Sequence, residues 1–166
     1  MALFEVERTV HASAVAVWER LTDWPAHVGR VPLTRITGVS VPAEGVGARF
    51  TARTGVGAVG FDDPMEVVAW SPPGAGRAAG RCRLVKRGRV VRGWAEIEVH
   101  GPEADTGDGA DAGDAGNAGD GAPGPVRAVW REEIGVRGVP RALDPVVAWT
   151  ARRLFARVLD DLLRSP

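Results

Sequence analysis

The sequence predicts an α+β domain in which a curved seven-stranded antiparallel sheet wraps around a long C-terminal helix. Short runs of β-branched and aromatic residues, separated by Gly and Pro, fill the middle of the chain. The last twenty or so residues instead repeat their apolar side chains at helical spacing. With 166 residues, 45% of them apolar, the chain is long enough for one core with an internal pocket.

The chain opens with a strand and two short helices. Residues 3–10 alternate, with Phe4, Val6 and Val10 on one face and polar side chains on the other, which is typical of a half-buried strand. Ser13 then provides an N-cap hydroxyl for a helix, since the residues after it are apolar at helical spacing. The Asp-Trp-Pro sequence that follows predicts a second short helix.

Six more strands and the last helix follow. The helix is predicted to begin at Asp144 and Pro145, an N-cap and first-turn pair, and to run to Leu163. One side of it is apolar, and that side has to be buried against the concave face of the sheet. The predicted strands cover residues 33–41, 48–54, 61–70, 81–86, 89–100 and 126–136, and the apolar stripe is Val147, Ala151, Leu154, Val158 and Leu162.

The pairing of neighbouring strands is predicted by requiring that the residues opposite each other be compatible on both faces of the sheet. Pairing positions that sum to 225 places Gly93 opposite Glu132, and a tight turn at residues 87–88 places Cys82 opposite Gly93, so the three form one row. The other pairs predicted for the inner face are Leu84–Val91, Val91–Ile134, Ala95–Trp130, Ile97–Ala128 and Val99–Val126. The outer face would pair Glu98 with Arg127, Trp94 with Arg131 and Arg92 with Glu133.

Composition excludes several classes of protein. One cysteine and three scattered histidines form neither a disulfide framework nor a zinc-binding spacing, so no metal and no cofactor is predicted. No apolar run reaches the ~20 residues of a membrane span, and charges interrupt the N-terminus where a signal peptide is apolar. We expect a cytoplasmic protein without integral membrane contact.

Residues 101–125 stand apart in composition. They hold eight glycines, six acids and no base, so they are predicted to form a flexible loop within a single domain spanning 1–166. The acids recur every third residue, unlike the alternate ligands of a calcium-binding loop. Zero net charge argues against nucleic acid as a partner, although seven bases between Arg77 and Arg92 keep an anion-binding surface open as a minor alternative.

The order of elements and several motifs resemble the helix-grip superfamily of START-like (SRPBCC) proteins. The motifs are SAVAVWERLTDWPAHV, GVGARF, MEVVAWSPP, RVVRGWAEIEV and VWREEI, and the resemblance covers nearly the whole chain. This superfamily includes START lipid-transfer domains, Bet v 1-like proteins and bacterial polyketide cyclase or dehydrase proteins, and the sequence most resembles uncharacterised actinobacterial members. The resemblance implies a cavity between sheet and helix for an apolar or amphipathic small molecule.

Two residues are candidates for acid–base chemistry in such a cavity. Glu132 is predicted to be the only ionisable group of an otherwise apolar inner face, which makes it a ligand contact or a general base. The alternatives are that it pairs with an interior arginine or lies at the wet mouth of the cavity. His27 lies in the second short helix, near the usual cavity opening of the superfamily, where a histidine either transfers protons or is simply solvated. Both are therefore kept as candidates rather than assigned.

The remaining candidates are ligand contacts. Aromatic side chains are typical of small-molecule pockets, although plain core packing explains them equally well. Cys82 is predicted to point inward as an inert thiol. The full set of predicted ligand-binding residues is Trp18, His27, Phe50, Trp70, Cys82, Ala95, Trp130, Glu132, Leu154 and Val158.

The leading hypothesis is a binding protein, monomeric or weakly dimeric, for a lipid-like or polyketide-like ligand. The alternative is a polyketide cyclase or aromatase that positions a reactive chain and moves a proton through Glu132 or His27. A third possibility is an interaction protein that uses its arginine-rich face.

Overall fold

The computed structural model describes residues 1–27, 30–56, 59–74, 77–101 and 124–164. Its strands are β1 (Ala2–Ala12), β2 (Thr34–Thr37), β3 (Arg49–Val56), β4 (Val59–Ser71), β5 (Ala79–Arg87), β6 (Val91–His100) and β7 (Gly124–Val136). Its helices are α1 (Ala14–Thr22) and α2 (Asp144–Arg164), with 3-10 turns at Trp24–His27 and Arg141–Leu143. The predicted order of elements is confirmed, with the second short helix present as a 3-10 turn.

The seven strands form one antiparallel sheet in the order β1-β7-β6-β5-β4-β3-β2. Helix α2 packs across β1, burying Val158, Leu159 and Leu162, and the Phe155 ring lies 5.4 Å from that of Phe4. Helix α2 turns its apolar stripe towards the sheet, because this orientation removes the most apolar surface from water. The predicted fold class, a curled sheet with a long C-terminal helix packed against it, is confirmed.

Both helices begin where the sequence predicts. The Ser13 hydroxyl accepts a hydrogen bond from the Ala16 amide at 3.1 Å, which satisfies one of the free amides of α1. Helix α2 begins at Asp144, whose carboxylate also binds the N-terminal amino group of Met1 at 2.7 Å. The first turn of α2 is therefore held against the start of β1.

The pairing of β6 with β7 differs from the prediction by two residues. Glu132 lies opposite Ala95 rather than Gly93, and Val99 lies opposite Ala128 rather than Val126. A shift of two keeps every side chain on its predicted face, so alternation alone does not distinguish the two registers. The predicted outer-face pairs are consequently wrong: Glu96 lies opposite Arg131, Trp94 opposite Glu133 and His100 opposite Arg127.

The hairpin from β5 to β6 also differs from the prediction. The turn spans residues 88–90 instead of residues 87–88, so Cys82 pairs with Ile97 and Leu84 with Ala95. The predicted row of Cys82, Gly93 and Glu132 is therefore wrong. The row that contains the glutamate is Leu84, Ala95, Glu132 and Phe4.

The predicted flexible loop falls mostly outside the described residues. Of its residues 101–125, the structure describes Gly101 at one end and, at the other, Gly124 and Pro125, which are the first residues of β7. Within the described ranges, no helix is long and apolar enough to cross a membrane.

Candidate functional site

A cavity of about 250 Å³ lies between the concave face of the sheet and α2. Its walls come from β2 to β7, from the 3-10 turn at Trp24–His27 and from α2. Pro32, which is exposed, also lines it, so the cavity reaches the protein surface on the side of β2. Six of the residues predicted to bind a ligand line this cavity: His27, Phe50, Ala95, Trp130, Glu132 and Leu154.

Aromatic rings form a continuous wall of the cavity. The Trp24 ring stacks on Phe50, with centroids 4.6 Å apart and planes 17° from parallel, and Trp24 Nε1 donates to the Ala43 carbonyl at 3.1 Å. The His27 ring lies 6.0 Å from Trp24 and 5.9 Å from Trp130. Phe155 of α2 continues the series, 5.1 Å from Trp130. The predicted ligand contacts omitted Trp24, which was assigned only to a short helix.

The other four predicted ligand contacts lie elsewhere in the core. The Trp18 and Trp70 rings meet edge to face at 5.0 Å, between α1 and β4. Cys82 is fully buried, and this burial raises the pKa of its thiol to about 12, so the thiol stays protonated. Val158 packs into the hydrophobic core from α2. The structure thus places these four away from the cavity wall.

Three charged side chains meet at the buried end of the cavity. Lys86 Nζ lies 2.7 Å from Asp63 Oδ2 and 3.0 Å from Glu132 Oε1, and the three residues are 8%, 6% and 1% exposed. Trp130 Nε1 donates to the second oxygen of Glu132 at 3.0 Å. These three residues, hereafter the buried charge cluster, all line the cavity.

The prediction that Glu132 is the one ionisable group of the inner face is therefore wrong. Lys86 continues the inward series of Cys82 and Leu84 along β5, and Asp63 lies on the same side of β4 as Met65. Because alternate residues of a strand lie on the same face, counting every second residue along β4 and β5 would have placed both side chains on the inner face. Lys86 was missed because it stands within the run of bases from Arg77 to Arg92, which was considered together as one charged surface.

Burial and mutual attraction act in opposite directions on the buried charge cluster. Burial by itself lowers the pKa of the Lys86 ammonium, but the charges of Glu132 and Asp63 outweigh it and hold that pKa above its usual value. Burial raises the pKa of the Asp63 carboxyl, and the neighbouring ammonium opposes this without cancelling it. The lysine is thus a fixed positive charge, and Asp63 is the group that burial makes easier to protonate.

His27 enters the cavity as a neutral imidazole. Its Nε2 lies 3.2 Å from the Leu21 carbonyl oxygen, which only accepts, so Nε2 carries the proton and Nδ1 is left as an acceptor. Burial lowers the pKa of His27 to about 4, and the nearby Arg30 charge adds to this effect. The ring is therefore uncharged at neutral pH.

The basic stretch from Arg77 to Arg92 mainly stabilises the convex face. Arg81 and Arg83 both bind the buried Glu96 carboxylate, at 2.7 and 3.1 Å, and the Arg83 guanidinium also lies over the Trp94 ring at 4.2 Å. The arginine predicted to cover that ring was Arg131, which instead pairs with Glu5. Two of the seven bases are therefore engaged with one carboxylate, and Lys86 points into the cavity.

No protein-family model matches the sequence, and neither does any curated protein. Solved structures match over nearly the whole length. A START superfamily protein from Mycobacterium smegmatis has a TM-score of 0.63 at 10% identity, over 98% of this chain and 97% of that one. A protein from Thermus thermophilus has a TM-score of 0.61 at 13% identity, over 96% of this chain and 93% of that one.

The Zhui aromatase/cyclase from Streptomyces sp. R1128 has a TM-score of 0.54 at 15% identity, over 98% of this chain and 94% of that one. Identities this low carry information about architecture and none about substrate. Together with the seven-stranded sheet and α2, the comparisons show that the chain has the helix-grip fold of START and Bet v 1-like proteins.

Proposed function

We propose that the protein belongs to the START-like superfamily and binds a compact, largely apolar small molecule in its cavity. The observation that carries this proposal is an aromatic-walled space with a few convergent polar groups, which is the usual composition of a ligand site. The helix-grip fold typically binds hydrophobic ligands, which supports the proposal. The actinobacterial origin suggested by the sequence stays a prediction.

The size of the cavity limits the ligand. A cavity of about 150 Å³ lined by apolar side chains holds benzene, whereas drug-sized ligands occupy about 300–1,000 Å³. At about 250 Å³, the space suits one substituted ring or two fused rings. Within the wider class of lipid-like and polyketide-like molecules, this favours short or monocyclic members over a long acyl chain.

Filling the cavity from β3 tests the binding proposal. Ala52 lines the cavity, so Ala52→Phe is expected to weaken ligand binding at least about tenfold, because the new ring occupies the space of the ligand. Native mass spectrometry after incubation with a lipid or polyketide extract identifies the bound compound, and titration with it measures the loss.

The matched control is Thr51→Phe, which adds a ring to the same strand on the opposite face. This variant is expected to bind as tightly as the parent chain. Equal binding by all three proteins would place the ligand outside the cavity, and recovery of no compound from any extract would count against the proposal itself.

A second candidate function is a cyclase or aromatase for a polyketide chain. One observation favours it: His27 lines the cavity as a neutral imidazole with Nδ1 free to accept a proton. In such a reaction Nδ1 would take a proton from the carbon between two carbonyls, and the resulting carbanion would attack a third carbonyl of the same chain. The alkoxide formed from that carbonyl would then take the proton back from the imidazolium. Glu132 is the less available group, since Lys86 and Trp130 already occupy both its oxygens.

His27→Gln tests this second candidate. The glutamine keeps a hydrogen-bond donor for the Leu21 carbonyl but has no basic nitrogen, so turnover of a short poly-β-ketone thioester is expected to fall at least a hundredfold with binding nearly unchanged. His11→Gln, at an exposed position of β1, is the control and is expected to leave turnover unchanged. Turnover that survives in His27→Gln would remove the histidine as the base.

The remaining features of the proposal concern partners and compartment. We place the protein in the cytoplasm, as a monomer or weak homodimer of one domain spanning 1–166, working without a cofactor or nucleic acid. The apolar ligand is its partner. The arginine-rich face is assigned a structural role, because Glu96 already engages two of its members.

A further inference from the structure

The buried charge cluster presents hydrogen-bond acceptors to the cavity. The three N–H groups of Lys86 face three acceptors, namely Asp63 Oδ2 at 2.7 Å, Glu132 Oε1 at 3.0 Å and the Met65 sulfur at 3.8 Å. The ammonium is therefore fully used within the protein. A ligand that reaches this end of the cavity meets Asp63 and Glu132, and His27 lines the same cavity.

The carboxylate of Asp63 is the least satisfied member of the cluster. Its Oδ1 is buried and, among the described residues, has no hydrogen-bond partner. Glu132 by contrast accepts from Lys86 and from Trp130. An ionised carboxylate has about four acceptor sites, and leaving one of its oxygens buried and unpaired is costly. Asp63 therefore has one unused acceptor oxygen, which lies on the side of Gly88, and a ligand in the cavity reaches it by a rotation of the carboxylate.

The cluster also lacks one positive charge. Two carboxylates share a single ammonium, so the cluster carries a net negative charge when all three groups are ionised. Buried charges of this kind are retained when a partner of opposite sign compensates them. A cationic donor would supply both the missing charge and the missing hydrogen bond, whereas a hydroxyl would supply only the second.

The walls beside the cluster suit a cation with an apolar body. Trp24, Phe50, Trp130 and Phe155 line the cavity with aromatic rings, whose large apolar surface suits a hydrocarbon body. His27 is neutral there and does not repel a cation. Aromatic walls thus bind the body of the ligand, and the excess negative charge binds its head.

We propose that the ligand of this cavity is a compact apolar amine, whose ammonium group binds at Asp63 within the buried charge cluster and whose hydrocarbon body lies against the aromatic wall. This inference rests on the proposed function, since it names the chemical class that the same cavity binds. It assigns Asp63 as the residue that selects the ligand head group, and Lys86 and Glu132 as the residues that position Asp63.

Three probes of nearly equal shape test this inference on the full chain: 2-phenylethylamine, 2-phenylethanol and propylbenzene. Calorimetric titration at pH 7 is expected to show the amine binding at least about tenfold more tightly than the hydrocarbon, a difference of about 1.4 kcal/mol, with the alcohol between them. Hydrocarbon binding equal to or tighter than amine binding would overturn the inference and leave the proposed function standing. If none of the three binds, the inference fails, and the extract experiment described above decides the proposed function separately.

Asp63→Asn locates the selectivity. The amide keeps the shape and still accepts from Lys86 but carries no charge, so the amine is expected to lose its advantage while propylbenzene binds as before. The matched control is Asp62→Asn, at the preceding residue of β4, which is exposed and pairs with Arg53 at 2.9 Å. An amine preference that survives in Asp63→Asn overturns the assignment. If that variant does not fold, the order of the three probes on the parent chain decides alone.

Discussion

Replacing Lys86 by methionine is expected to lower the free energy of unfolding by about 3–5 kcal/mol at pH 7, because it leaves the cluster's two carboxylates buried without their cation. Methionine keeps most of the side-chain volume, so the loss reports the charge and not a cavity. Urea unfolding followed by tryptophan fluorescence measures it. The loss does not equal the net contribution of the ion pairs, since an apolar replacement of all three residues is often neutral.

The pH dependence of this loss has a definite sign. Burial raises the pKa of Asp63 and the Lys86 charge holds it down, so the pKa rises further when the ammonium is removed. A carboxyl whose folded pKa exceeds its unfolded value contributes stability below the unfolded value, about 3.9, and loses that stability as pH rises through the folded pKa. The deficit of Lys86→Met is therefore expected to be largest at pH 7 and to shrink towards pH 4.

The control for this experiment is Arg87→Met, the next residue along β5. Arg87 is exposed and pairs with Glu66 at 3.4 Å across the surface, so its loss is expected to cost no more than about 0.5–1 kcal/mol. A Lys86→Met chain as stable as Arg87→Met at pH 7 would contradict the arrangement of the buried charge cluster described above. A deficit that grows towards pH 4 would contradict the sign.

Much of the fold was predictable because most of its elements are specified by a pattern within their own stretch of sequence. Alternation in β1, the Ser13 cap and the apolar stripe of α2 each specify an element without reference to the rest of the chain. The pairing of β6 with β7 was not predictable in the same way, since registers that differ by two residues place identical faces inward. That choice depends on strands and turns that are remote in sequence, including the eleven pairs between β1 and β7.

The candidate site was predicted in part for the same reason. Glu132, Trp130 and Phe50 lie on strand faces that alternation identifies, and they line the cavity. The charged partner of Glu132, Lys86, comes from β5, and Asp63, which shares that lysine, comes from β4. A charged residue on an inner face is against the usual preference of buried positions. Asp63 and Lys86 form their ion pair only when the strands lie side by side in the folded chain. Their inward placement therefore could not be inferred from either strand alone, although it is explained once Glu132 is seen beside them.

Gly93 shows what fixes the register, and replacing it has the second largest expected effect. Its φ is 133°, in the range that favours glycine, and a Cβ there would lie 1.8 Å from the carbonyl oxygen of Glu133 in the neighbouring strand. Gly93→Ala is expected to lower the free energy of unfolding by about 3 kcal/mol or more, because β6 and β7 have to separate to admit the methyl group. Urea unfolding measures the change.

The matched control lies in the same two strands. A Cβ at Gly135 would meet the flexible Met1 side chain at 3.3 Å, which can move aside, so Gly135→Ala is expected to change the stability by no more than about 1 kcal/mol. If Gly93→Ala proves equally mild, the backbone contact at Glu133 does not hold the register. Because the register of β6 and β7 places Glu132 opposite Ala95, the test also bears on the position of the buried charge cluster.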